Sequence, residues 1–174
     1  MLNVVSAEIE YANGRFVNAA QRLRQAPIAA LDANTAREVA LLSGLVRMRV
    51  GPYAQGLATA TGVVEEFEKA GMAAAAAQGK LSIAEALALI GRREDARTLA
   101  RDAWSYFESE RNWEALLRAH LVMARASEMP SDVAAHQASA QSALAQLRMA
   151  WGMATVDSYL TRPDLRRLSS GVQP

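Results

Sequence analysis

Ala84-Glu85-Ala86-Leu87-Ala88-Leu89-Ile90-Gly91-Arg92-Arg93-Glu94-Asp95-Ala96 is the stretch that decides the fold. Good helix formers fill both sides of Gly91, and no apolar–polar alternation marks a strand. A glycine between two such runs reads as the turn of a helical hairpin, because glycine takes the turn conformations that end a helix at low cost. Ala84 before the turn and Ala96 after it are small enough to let the two helices touch. The same spelling recurs outward in both directions. Gly14-Arg15-Phe16 is followed by Ala19, Gly51-Pro52-Tyr53 by Gly56, and Ser131-Asp132-Val133 by His136, which stands where a small residue is expected. The turn residues 14, 51, 91 and 131 are spaced by 37, 40 and 40. Seven residues before each stands a second column, Ala7, Gly44, Ala84 and Ala124. A period of this size in a helical chain reads as stacked helical hairpins.

Breakers divide the chain into segments of helical length. Residues 2–12, 16–25, 35–50, 53–70, 73–90, 93–109, 112–128 and 132–151 are the predicted helices, with a shorter piece at 154–160. Thr35-Ala36-Arg37-Glu38 matches a capping box, in which the hydroxyl and carboxylate satisfy each other's free amides. Gly71 and Gly152 stand where a left-handed residue closes a helix. Pro52 suits a first helical turn. Gly79, inside an alanine-rich helix, weakens it unless a neighbour packs closely there.

The chain has 174 residues, no cysteine, and 51% hydrophobic residues. That is enough apolar chain for a core, and it excludes extended disorder. A disulfide scaffold and a cysteine-ligated metal are excluded as well. The 19 basic residues, almost all arginine, balance 18 acidic ones. A net charge of +1 offers no electrostatic footprint for nucleic acid. No uncharged apolar run is long enough for a membrane span, and Glu8 and Glu10 interrupt any signal-like start. The expected location is cytoplasmic.

The repeated pattern resembles the tetratricopeptide repeat (TPR) family, whose hairpin repeats span about 34 residues. Gly14, Phe16 and Ala19, then Gly51 and Tyr53, then Gly91 and Ala96 carry the resemblance. The longer period is similar to that of divergent TPR arrays in large bacterial regulators and signalling proteins. The resemblance implies an all-α, right-handed solenoid of about four hairpins with a short closing helix over residues 1–168. The tail around Tyr159 to Leu168 resembles the segment that closes some such arrays, and residues 169–174 are expected to be disordered. By the family's register, the concave, partner-binding face falls on Glu38, Leu45 and Met48, on Gln78 and Glu85, and on Arg118, Arg125 and Glu128.

Little in the sequence carries chemistry. His120 and His136 lie on different predicted helices, with no spacing that sets two ligands on one helical face, so no metal is expected. No phosphate-cradling loop or nucleophile elbow occurs, and no cofactor is implied. Glu65, Glu66 and Glu68 read as a solvated face. Trp104, Tyr106, Phe107 and Trp113 cluster at a helix junction. Trp104 and Phe107 share one helical face, which leaves Tyr106 or Trp113 as an aromatic anchor for a partner. The expected function is a non-catalytic protein–protein interaction module, part of a larger bacterial regulatory or signalling chain. Its partner is a protein or peptide of unknown identity. Self-assembly into a homo-oligomer through Val4-Val5 and the Leu160-to-Leu168 tail is the alternative, and a small-molecule sensor or enzyme ranks third.

Overall fold

A computed structural model of the chain describes residues 2–27 and 31–170. Among the described residues every regular element is an α-helix: α1 (Leu2–Ala12), α2 (Phe16–Arg24), α3 (Ala33–Val50), α4 (Tyr53–Lys69), α5 (Ala73–Leu89), α6 (Arg93–Ser109), α7 (Trp113–Ala126), α8 (Pro130–Trp151), α9 (Met153–Leu160) and α10 (Pro163–Ser169). None of the described helices is long and apolar enough to cross a membrane. The chain divides between Gly79 and Lys80, inside α5, into two compact units.

In the first unit α1 packs on α2, α2 on α3, and α3 on α4. Val4 and Ala7 of α1, Ala19 and Leu23 of α2, and Val39, Leu42 and Val46 of α3 form one buried cluster. The small residues do what their columns predict. Ala7 and Ala19 are fully buried. A Cβ on Gly44 would lie 2.8 Å from the Ala60 amide nitrogen and 2.8 Å from the Gly56 carbonyl, and one on Gly56 would lie 2.6 Å from the Met48 amide nitrogen. Here α3 and α4 meet backbone to backbone, which only glycine permits. Gly79 also faces a neighbour, since its Cβ would lie 2.7 Å from Val64 Cγ2.

In the second unit α6 packs on α7, α7 on α8, α9 on α8, and α10 returns to α7. Ala84, Ala96 and Ala124 are buried, together with Leu117, Val122 and Phe107. Gly91 turns with φ +83°, and Gly71 and Gly152 take the expected positive φ at their helix ends.

Three details differ from the sequence reading. Asp32, not Thr35, caps α3: its carboxylate accepts from the Asn34 and Thr35 amides at 3.0 and 3.1 Å. The Thr35 hydroxyl donates back to the same carboxylate at 2.6 Å, so the cap lies three residues earlier than the capping box implied. The fourth turn lies at Ser127–Met129, and Ser131 sits inside α8. Pro130 occupies the first turn of α8, where its missing N–H costs nothing, and so it starts the helix rather than breaking it. Two residues of the tail expected to be disordered from 169 onward have a defined place. Ser169 ends α10 and the Ser170 carbonyl accepts a bond from Arg125 at 2.6 Å, while residues 171–174 lie outside the described residues.

Candidate functional site

The sequence places eight residues on a partner-binding face, and the structure sorts them into three groups. Leu45 and Met48 belong to the core, 4% and 5% exposed, with the Met48 backbone set against Gly56 of α4. Glu38, Gln78 and Glu128 are exposed. Glu85, Arg118 and Arg125 are half-buried and occupied by this chain's own groups.

Arg118, in the middle of α7, is the centre of a charged cluster in the second unit. Its Nε and Nη2 donate to the two oxygens of Glu85, each at 2.7 Å, as a forked pair. Its Nη1 donates to Asp164 at 3.1 Å. The side chains of Arg118, Glu85 and Asp164 are only 12%, 17% and 15% exposed. Burial pulls the Arg118 pKa down, but the Glu85 carboxylate outweighs it and holds the guanidinium firmly protonated. For Asp164 burial pushes upward, and the bonds from Arg162 and the Arg118 charge bring the net pKa below the usual carboxylate value. Tyr159 lies beside the same arginine, with its pKa raised mainly by burial. Two turns further along α7, Arg125 reaches the Ala88 carbonyl at 3.4 Å and the Ser170 carbonyl at 2.6 Å. The two arginines expected to read a partner therefore clamp α10 to α7. That role depends on Asp164 and Ser170 folding back from more than forty residues away, which no local spacing announces.

Of the aromatic junction, only Phe107 is in the core. Phe107 is 3% exposed, and Tyr106 is half-buried with its ring set edge-on against Phe107 at 5.5 Å. Trp113 is half-buried and lines a cavity of about 310 Å³ with Trp104, Glu108 and His120. His120 and His136, from neighbouring helices, approach to 5.6 Å between ring centroids, with Trp104 edge-on to His120 at 6.3 Å. Burial, and then the His136 charge, push the His120 pKa down to about 4. His136 is also lowered, chiefly by burial, against the pull of Asp132. Both rings are thus neutral at neutral pH. Among the described residues no group of three His, Asp or Glu side chains is placed to hold a metal ion.

A surface the sequence did not single out lies in the first unit. A cleft of about 480 Å³ runs along α3, walled by Ala20, Leu23 and Arg24 of α2 and by Pro52 and Thr59 at the start of α4. Ala36, Val39, Ala40, Ser43, Val46, Arg47 and Val50 line it from α3, spaced by three, four or seven as one helical face. At 100° per residue that face is opposite to the one carrying Glu38, Leu45 and Met48. The signal was present as period, but it needed α2 and α4 as walls to become a cleft.

No protein-family model matches this chain, and no curated protein or solved structure matches it either. What stands is the architecture: an all-helical chain whose helices pack in neighbouring pairs.

Proposed function

We propose that this chain is a non-catalytic protein–protein interaction module, built as a TPR-like right-handed solenoid of hairpins and working within a larger bacterial regulatory or signalling protein. One observation carries the reading. The small-residue column Ala7, Gly44, Ala84 and Ala124 is buried in every member, with Gly44 in backbone contact across its hairpin. Ala7, Gly44 and Ala84 each stand seven residues before a glycine between two helices, which supports one hairpin plan used three times. Such hairpins bury their apolar faces against neighbours and leave extended surfaces that bind proteins. The step from architecture to function is analogy. The test is affinity capture from a lysate of the source organism with the full chain as bait, followed by reconstitution from purified components. A partner that re-forms a stoichiometric complex with the purified chain supports the module. Failure of every captured protein to re-form a complex sinks it.

Self-assembly is the second reading, favoured by an apolar stripe on α1. Leu2, Val5 and Ile9 are 85%, 52% and 54% exposed and share one face. Leu165 and Leu168, expected as contacts from the tail, are each 1% exposed against their own unit and cannot serve. A mass by light scattering that stays monomeric across concentration removes this reading.

A further inference from the structure

We propose that the cleft along α3 docks an amphipathic helix of a partner protein, one presenting two acidic side chains two turns apart around an apolar pair. This rests on the interaction-module reading and names the chemistry of its partner.

The floor is apolar and low. Ala36, Ala40 and Ser43 keep it low, Val39 and Val46 form its base, and Val50 at its end is 44% exposed. From Ala36 to Val50 the floor runs about 21 Å, the length of a helix of about four turns. Small floor residues let a second helix approach closely and seat larger apolar side chains of its own, the usual way a helix occupies a groove.

The charge pattern selects the occupant. Arg24 and Arg47 both line the cleft, and no acidic residue does. Elsewhere in the unit Arg15 pairs with Glu10 and Arg37 with Glu66 at 3.2 Å, whereas Arg22, outside the cleft, joins no ion pair among the described residues. Among the described residues neither Arg24 nor Arg47 joins an ion pair. Two free guanidinium forks over an apolar floor suit carboxylates.

The spacing of the two arginines sets the spacing of the acids. Arg49, near the end of α3, stacks on the ring of Phe16, the first residue of α2, at 4.7 Å. Because α3 begins a short loop after α2 ends, this contact between the start of α2 and the end of α3 makes the two helices antiparallel, with Phe16 at the Arg49 end of α3. Eight residues of α2 carry Arg24 about 12 Å from that level, and two residues of α3 carry Arg47 about 3 Å the same way. The backbones of the two arginines lie about 9 Å apart along the helix axes, close to the span of residues i and i+7 in a docked helix. A single alkyl carboxylate meets one of them, whereas a helix with acids at i and i+7 meets both.

The test uses the full chain and a synthetic alanine-based peptide of about fourteen residues, long enough to hold helix. It carries glutamates at i and i+7 and leucines at i+3 and i+4. Binding is read by fluorescence anisotropy, with far-ultraviolet circular dichroism confirming that each variant is folded. We expect saturable binding by the wild type, weakened about tenfold or more by Arg24→Gln with Arg47→Gln, and equally by replacing both peptide glutamates with glutamine. A bulky floor, Ala40→Trp, should abolish it. No binding by the wild-type chain overturns the proposal, and so does binding indifferent to the arginine pair. Decanoate bound at the cleft with no peptide binding also overturns it, by assigning the cleft to a small amphiphile. A reconstituted partner that ignores Arg24→Gln and Arg47→Gln overturns the cleft and leaves the module reading standing. Peptide binding without any reconstituted partner fails the module reading instead.

Discussion

Gly44→Ala and Gly62→Ala make the same chemical change, one in α3 and one in its hairpin partner α4, and should move stability in opposite directions. At Gly62 a Cβ meets nothing within 4 Å, so the substitution collects the helix-propensity gain alone, about 1 kcal/mol. At Gly44 the added carbon lands 2.8 Å from the Ala60 amide nitrogen and the Gly56 carbonyl, and both are backbone atoms that cannot rotate away. Ordinary contact is about 3.5 Å or more, so the two helices must separate by about 0.7 Å over a close-packed seam. Overpacking of that kind costs about 2–3 kcal/mol, which the propensity gain offsets only in part. The net expectation is a loss of about 1–2 kcal/mol at Gly44 and a gain of about 1 kcal/mol at Gly62. The two variants should then differ by about 5–10 °C in melting temperature for a chain of this size. Urea denaturation followed by far-ultraviolet circular dichroism gives the same ordering in midpoint, at unchanged slope. Gly44→Ala as stable as the wild type, or both variants shifted the same way, would refute the backbone contact between α3 and α4.

Three further outcomes are expected. Arg118→Met leaves Glu85 part-buried without its partner and Asp164 with Arg162 alone, and should destabilise the second unit by about 3 kcal/mol, while Arg118→Met with Glu85→Leu and Asp164→Asn recovers much of the loss in urea midpoint. An unshifted midpoint for the single variant would show that the cluster is not formed. The His120 pKa, lowered to about 4 by burial, makes the unfolded chain the stronger proton binder between that value and its ordinary 6.5. Stability from this group is then complete above about 6.5 and lost as pH falls toward 4. The lowered Asp164 acts in the same direction at more acid pH, present above its unfolded value and lost as pH falls through the folded one. Histidine resonances followed by NMR titration should place the His120 midpoint near 4, and a midpoint near 6.5 would contradict its burial. Finally, Asp32→Ala should lower the melting temperature through the lost cap of α3, and Glu38→Ala far less. Equal losses from the two in thermal melts would restore the capping box.

Most helix ends were legible because they are written in local chemistry. The 2–12 and 93–109 segments match α1 and α6, and the glycines at 71, 91 and 152 sit at positive φ where a helix closes. The small columns were legible because a helix contact needs small residues at a fixed period. The start of α8 was placed at 132 rather than Pro130 because proline ends one helix and starts another with equal ease, and only the position of the preceding turn decides between them.

The fate of the charges was not legible. Arg118 and Arg125 lie seven apart on one helical face, which looks like a pair offered to a partner. The fold instead brings Glu85, Asp164 and Ser170 to them, and the clamp on α10 exists only once α10 has returned to α7. Arg24 and Arg47 are the converse case, two unremarkable surface arginines made into a pair by the antiparallel packing of α2 on α3. Periodicity, turns and caps depend on neighbours within about one or two helical turns, so the amino-acid order alone determined the helices and their close contacts. Which guanidinium finds a carboxylate inside the chain, and which finds none there, depends on residues tens of positions apart. That was decided by tertiary structure.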